Sequence, residues 1–266
     1  MAEKFKGDIY LTARNEERGI SAVKELQAEG IQVHFHRLDI TDIETVKEFQ
    51  QHIKNKHGGI DILINNAGIA FKNAATKPMH VQAEITVKTN YFGTKQTCEI
   101  LFPILNPGAR VVNVSSSCGY LPLVNADEPE AKNLREKLAS SDSTLTDKEL
   151  DDIMISYISA TKDGIHKQKG WGSSTYVASK VGLSALSRIQ QREFSNDSRK
   201  DIVVNHVHPG YVDTDMTSHK GPKTPEEGAM SSIYCALLPP ETSIRGQYIW
   251  HDCQVVDWVN GPKPTV

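Results

Sequence analysis

The chain reads as a doubly wound α/β domain on a parallel sheet, and three observations predict it. Apolar runs of strand length recur at IDILI (60–64), VVNV (111–114) and IVVN (202–205). Near-continuous runs of this kind suit strands covered by helices on both faces, as parallel sheets require. Helix-opening signals alternate with these runs, which is the rhythm of βα units. No internal repeat or low-complexity linker interrupts the 266 residues, so a single domain is expected.

The elements follow in order. MAEKFKG reads as the tail of a helix, with a strand from Asp8 to Ala13 directly after it. Glu16 to Glu29 is helical, and Gly30 stands where a C-terminal cap favours glycine. IQVHFHRL is the next strand. Thr41-Asp42-Ile43-Glu44 reads as a capping box opening a helix to about His57, where Gly58-Gly59 stops it. IDILI, VVNV and IVVN supply further strands, and Thr224-Pro225-Glu226-Glu227 joins a capping box to proline at the first helical position. About sixty residues separate Ser116 from Tyr176, far more than a usual connection in such a fold. Within them, residues 127–168 are charged and helix-favouring, and Thr146-Asp147-Lys148-Glu149 is another box-like start, so an inserted helical pair is predicted.

Composition narrows the function. A net charge of −3 argues against nucleic acid or an anionic membrane as partner. No apolar run approaches the roughly 18 residues of a membrane span, and the N-terminus is charged, so a cytoplasmic protein is expected. Cys98, Cys118, Cys235 and Cys253 are scattered without CxxC spacing, which suits reduced thiols and no metal site. His34/His36 and His206/His208 each share a strand face, yet no carboxylate stands in register with them, and they read as packing residues.

The chemistry sits in a constellation: the turn Asn65-Asn66-Ala67-Gly68, then Asn90, Ser116, Tyr176 and Lys180. A tyrosine and a lysine four residues on share one helix face, where an ammonium can lower the phenol pKa from about 10 toward working pH. Tyr176 is then a candidate general acid, with the Ser116 hydroxyl, at a strand end, holding the substrate oxygen. Tyr91 and Lys95 repeat the spacing, so the pattern counts only with its context. Together these groups describe carbonyl/alcohol redox chemistry that needs a hydride carrier.

In order and spacing, LTAR (11–14), LDI (38–40), NNAGIAF (65–71), KTNYFGT (88–94), RVVNVSS (110–116), YVASK (176–180) and HPGYVDTDM (208–216) resemble the short-chain dehydrogenase/reductases. Within that family they are similar to the monomeric, NADPH-dependent carbonyl reductases of animals. The resemblance implies a Rossmann-like fold and a small-molecule carbonyl substrate. It implies Asn90, Ser116, Tyr176 and Lys180 as the catalytic set, Asn90 holding a proton-relaying water and Ser115 pointing elsewhere. It places Asp39 with Ile40 and Asn66 on the adenosine side of NADPH, Lys180 and Tyr176 at the nicotinamide ribose, and Val212, Asp213 and Thr214 at the carboxamide. Phe71 and Gln82, with Ser116, are candidates for the substrate pocket. Arg14, ending the 8–13 strand, favours NADP(H), since an acidic residue there would repel the 2′-phosphate. The insertion should cover the face through which dimerising relatives pair, so a monomer is expected.

The expected strand order holds one more strand, with a Gly-rich loop after it, between the 8–13 and 60–64 strands. That is on the order of 25 residues by typical element lengths. Either the chain is an N-terminally truncated form, or the flanking strands close up. Two readings follow: an NADPH-dependent carbonyl reductase, or a catalytically silent truncated homologue that cannot bind the cofactor and acts through protein contacts.

Overall fold

The computed structural model describes residues 5–72, 74–124 and 129–261. The chain divides into two compact units, one built on residues up to Ile60 with Lys95–Leu105, the other on Asp61–Thr94 and the chain from Asn106 onward.

The first unit is a βαβα segment: β1 (Tyr10–Ala13), α1 (Glu16–Ala28), β2 (His34–Arg37) and α2 (Ile43–His57). The two strands pair in parallel, Tyr10 opposite His34 and Ala13 opposite Arg37. Asn15 caps α1 by accepting from the Arg18 N–H at 2.8 Å. Gly19 lets α1 lie close on β2, because a Cβ there would stand 2.0 Å from the Phe35 ring. Two expectations are corrected in this unit. Residues 5–9 carry no helix, and the strand starts at Tyr10; the beginning of the expected helix tail, Met1–Lys4, lies outside the described residues. The cap of α2 is Asp42, which accepts from the Glu44 N–H, one residue beyond the Thr41 of the expected box. Thr41 instead gives both its N–H (2.9 Å) and its hydroxyl (2.8 Å) to the Asp39 carboxylate. A short acidic side chain two residues upstream competes successfully for those donors.

The second unit carries a five-stranded sheet in the order β3 (Ile60–Asn65), β4 (Leu105–Val114), β5 (Val203–Val207), β6 (Tyr248–Ile249) and β7 (Val255–Val256). β4, β5 and β6 run parallel, and β7 returns antiparallel to β6. β1 and β3 thus belong to different sheets. β4 reaches back to Leu105, well before the apolar run that marks it in the sequence. α3 (Met79–Val87) runs through a π-helical turn, Lys88–Gly93, into α4 (Thr94–Leu101).

The stretch before Tyr176 folds as helices α5 (Pro129–Ala139) and α6 (Asp147–Lys162); Asp127, the first residue of the expected insertion, lies outside the described residues. α6 buries Leu150, Met154 and Tyr157 at helical spacing and packs on α3 and on α7 (Thr175–Phe194). α7 is buried along most of its length. Its polar face is used: Asn113 of β4 donates to Ser187 (2.8 Å) and Gln190 (2.9 Å) and accepts from Asn65 at 2.8 Å. That buried chain fixes the register of α7 on the sheet, since an unpaired amide there would cost about 1–3 kcal/mol. α8 (Pro225–Ala236) completes the unit.

At the start of α6 the Thr146 hydroxyl accepts from the Glu149 N–H at 3.2 Å, and Thr146 N–H donates to the Glu149 carboxylate at 2.9 Å. Hydrogen bonds from Thr146 and Lys137 hold Glu149 down at about 2. Thr146→Ala is expected to lower the unfolding free energy by about 0.5–2 kcal/mol at neutral pH. The carboxylate's contribution is complete above its ordinary value of 4.5 and is lost as pH falls toward about 2. Urea unfolding of both forms across that range checks it; a deficit that does not shrink with acidification contradicts the assignment.

Candidate active site

Asn90, Ser116, Tyr176 and Lys180 gather where β4 ends, α7 begins and the segment after β3 passes by. Ser116 follows β4 directly, because the strand ends at Val114 and the chain turns into a single 3₁₀ turn, Ser117–Gly119. The Ser116 hydroxyl accepts from the Cys118 N–H at 3.1 Å. It also stands near enough to the Tyr176 phenol to favour the phenolate. Ser115, one residue earlier, faces α7 instead: its hydroxyl bonds Ser184 at 2.8 Å and donates to the Lys180 carbonyl at 3.2 Å. The alternation of a strand sends the two serines to opposite faces.

Tyr176 and Lys180 stand one turn apart on α7, the ammonium 5.7 Å from the centre of the phenol ring. Lys180 is 3% exposed, and its Nζ donates to the Val114 carbonyl at 2.7 Å. Burial lowers its pKa to about 8, opposed in part by the nearby Cys118 thiol. The expectation that Lys180 draws the phenol down toward neutrality does not hold here. Burial pushes Tyr176 up to about 12, only partly offset by the nearby Ser116 hydroxyl. Desolvation disfavours the phenolate, and an ammonium spent on a backbone carbonyl does not compensate. The phenol therefore keeps its proton, as a proton donor must.

Asn90 is fully buried in the π-helical turn. Its amide accepts from the Ile69 N–H (2.8 Å) and donates to the Ile69 carbonyl (2.9 Å) and to Ser179 (3.0 Å). The side chain thus fastens the NNAG segment to α7. Gly68 lies over this point, and a Cβ there would stand 3.2 Å from the Asn90 oxygen and 3.5 Å from the Lys180 amine. Asn66 is exposed after β3.

Val212, Asp213 and Thr214 form a loop after β5. Asp213 N–H donates to the Lys223 carbonyl at 2.8 Å, and the Thr217 hydroxyl donates to the Val212 carbonyl at 2.6 Å. The Asp213 carboxylate bonds His219 at 2.7 Å. Gln82, on α3, gives its amide to the Lys77 carbonyl at 2.7 Å, and Phe71 is half-buried after β3. In the first unit Arg14 is exposed at the end of β1, and Asp39, with Ile40 next to it, follows β2 with its carboxylate on Thr41. Among the described residues no group of three or more histidine, cysteine or acidic side chains could hold a metal.

Several supporting residues carry no sequence signal of their own. The Tyr248 hydroxyl donates to the Ser116 carbonyl, and the Trp258 indole donates to the Gly119 carbonyl at 2.6 Å. His208 accepts from the Ser117 N–H at 2.9 Å. Cys118 stands close enough to act on Tyr176, Lys180 and Tyr248 at once. His206 is a packing residue, stacked 4.8 Å from Tyr248.

The sequence matches the short chain dehydrogenase family over residues 4–127 and 160–225, which leaves most of α5 and α6 outside the match. It is 43% identical over 260 residues to carbonyl reductase (NADPH) 1 of Bos taurus, covering 97% of this chain and 91% of that protein. To the Homo sapiens protein of the same name it is 44% identical over 247 residues, covering 92% and 87%. Salutaridine reductase of Papaver somniferum superposes with a TM-score of 0.79 at 31% identity, covering 92% of this chain and 90% of that one. An NADPH-bound carbonyl reductase from chicken fatty liver shares the fold, with a TM-score of 0.64 at 20% identity over 94% and 88% of the two chains.

The tightness of the serine turn is testable by itself. A Cβ on Gly119 would lie 2.2 Å from the Ser115 hydroxyl and 2.9 Å from the Lys180 carbonyl, whereas one on Gly172 meets nothing within 4 Å. Gly119→Ala is expected to cost about 1–3 kcal/mol of stability by overpacking, and Gly172→Ala close to nothing. Equal midpoints for the two variants in chemical unfolding would show that the turn yields freely.

Proposed function

Because the chain belongs to the short-chain dehydrogenase family, we propose that it reduces ketones, aldehydes and quinones to alcohols with NADPH. The observation that carries this reading is the buried Lys180 beside a protonated Tyr176 and Ser116, in a chain 43–44% identical to NADPH carbonyl reductases over more than nine-tenths of its length. The same likeness favours an enzyme over a silent remnant.

The residues present fit the nicotinamide end of the cofactor. Lys180 has three N–H donors and a single hydrogen bond, to Val114, among the described residues. The open space above Gly68, which a Cβ would fill against Asn90 and Lys180, leaves room for a ribose edge. In the proposed assignment Lys180 and Tyr176 bind that ribose, Asn66 the adenosine side, and Val212, Asp213 and Thr214 the carboxamide. In the first unit Arg14 takes the 2′-phosphate and Asp39 with Ile40 the adenine. Bound NADPH supplies the hydride.

Ser116 donates its hydroxyl proton in a hydrogen bond to the substrate oxygen and sets the carbonyl against Tyr176. Tyr176 then transfers its phenolic proton to the alkoxide oxygen as C–H bond formation places charge there. The buried ammonium of Lys180 stabilises the phenolate left behind. Asn90 keeps the NNAG segment in register and, in this reading, holds the water that relays protons to Lys180. Phe71 and Gln82 border the substrate in this reading.

We infer further that the protein is a cytoplasmic monomer. This is supported by α6 packing on α7, the face that the resemblance assigns to pairing in dimerising relatives. Among the described residues no helix is long and apolar enough to cross a membrane.

Tyr176→Phe should lower kcat for a model quinone by about 10²–10⁴-fold, the usual share of general acid catalysis. Tyr91→Phe, in the repeated spacing, should lose far less; equal losses in steady-state kinetics would remove the assignment. The pH profile adds a second check. Reduction should hold through neutral pH and decline as pH rises through about 8, where Lys180 loses its proton, while Tyr176 keeps its own to about 12. A profile level to about pH 10, the ordinary lysine range, overturns the role of the ammonium. Sedimentation of the folded protein as a stable dimer would contradict the monomer.

A further inference from the structure

We propose that His208 is a positioning residue, whose Nδ1 ties the turn carrying Ser116 to the loop that leads into Val212–Thr214. The inference rests on the roles assigned above to Ser116 and to that loop.

His208 stands immediately after β5, at the same sheet end as Ser116. Its main chain is fixed, since its N–H donates to the Ile249 carbonyl at 2.8 Å and its carbonyl accepts from Ser231 at 3.4 Å. The residue is 2% exposed, and its ring packs 4.3 Å from Trp250 and 5.9 Å from His251. Nδ1 accepts from the Ser117 N–H at 2.9 Å and from the Gly210 N–H at 3.4 Å. One nitrogen that accepts two backbone N–H groups carries no hydrogen, so the ring proton sits on Nε2.

The two donors belong to different parts of the machinery. Ser117 N–H opens the 3₁₀ turn behind Ser116. Gly210 has φ +91, a conformation that favours glycine, and it starts the loop of Val212, Asp213 and Thr214. The other clamps on the serine turn, Tyr248 and Trp258, hold carbonyls of that turn alone. His208 supplies the acceptor for its leading N–H and shares that acceptor with the nucleotide loop. Removing it takes the shared acceptor from both the Ser117 and the Gly210 N–H and frees the two loops to move independently. Serine placement governs kcat, and loop placement governs NADPH affinity, so both constants must change together.

Three substitutions at this one position separate the acceptor from the bulk of the ring. In His208→Asn the side-chain oxygen takes the place of Nδ1. In His208→Gln the amide reaches toward the Nε2 position, and His208→Leu has no acceptor.

The full chain is assayed with NADPH and menadione, alongside Tyr176→Phe and Ser116→Ala. The Asn variant is expected within about threefold of wild type in kcat and KM. The Leu and Gln variants should lose at least about tenfold in kcat and gain at least about threefold in KM for NADPH, magnitudes consistent with one to two lost hydrogen bonds. Ser116→Ala should lower kcat while leaving the NADPH KM unchanged. Amide hydrogen exchange at Ser117 and Gly210 is read in parallel: slow in wild type and Asn, fast in Leu. Asn behaving like Leu, or Leu retaining both kinetic constants or slow exchange at both amides, overturns the proposal. If wild type itself fails to reduce menadione, the functional reading falls, and the exchange pattern alone decides whether His208 holds the two loops.

Discussion

The site depends on one buried ammonium. Lys180 reaches from α7 to the Val114 carbonyl at the end of β4, joining the helix that bears the tyrosine to the strand that delivers the serine. A charge removed from water is costly unless it is hydrogen-bonded and paired. Among the described residues no carboxylate pairs it, and the cost appears as a pKa lowered to about 8. The fold retains a partly satisfied cation at the point where the proposed assignment puts a cofactor ribose and a developing phenolate. The same burial that lowers Lys180 raises Tyr176, so the two groups are pressed toward neutral forms until a ligand supplies the missing interactions.

Around that ammonium the polar groups of the core act as fasteners. Asn113 spans Asn65 on β3 and Ser187 and Gln190 on α7, and Asn90 spans the NNAG segment and Ser179. Each is an amide with donors and an acceptor used on separate elements. Such a group tolerates one arrangement and penalises slippage by leaving a buried donor unpaired. The apolar layer of Met154, Tyr157, Leu186 and Trp258 fills space with far less directional demand.

Much of this was legible in the sequence. The parallel strands, α1, α2, α8 and the capping box of α6 followed from periodicity and cap chemistry, and Ser116, Tyr176 and Lys180 from their order. Where reading fell short, the reasons are physical. Asp42 rather than Thr41 caps α2, while Thr41 turns back to the Asp39 carboxylate, a local arrangement that spacing does not express. β6 and β7 have two residues each, too few for any period. The ammonium was expected to activate the phenol, but the opposing effect of burial depends on depth in the fold. Tyr248, Trp258 and His208 hold the serine turn from distances in sequence that no local pattern spans. Of the two histidines sharing a face of β5 and its continuation, His206 packs against rings while His208 bonds to backbone, a difference set by what lies opposite each.

The Trp258 indole meets the Gly119 carbonyl across 139 positions of sequence. Chains emerge from the ribosome N-terminus first, at about 5–20 residues per second. The serine turn therefore leaves the exit tunnel several seconds before the indole that braces it. During that interval Lys180 and Tyr176 can already lie on their helix while the turn opposite them still lacks its brace. The brace arrives late in synthesis, and a nascent chain halted short of Trp258 would hold Ser116, Tyr176 and Lys180 without the indole that steadies the turn after Ser116.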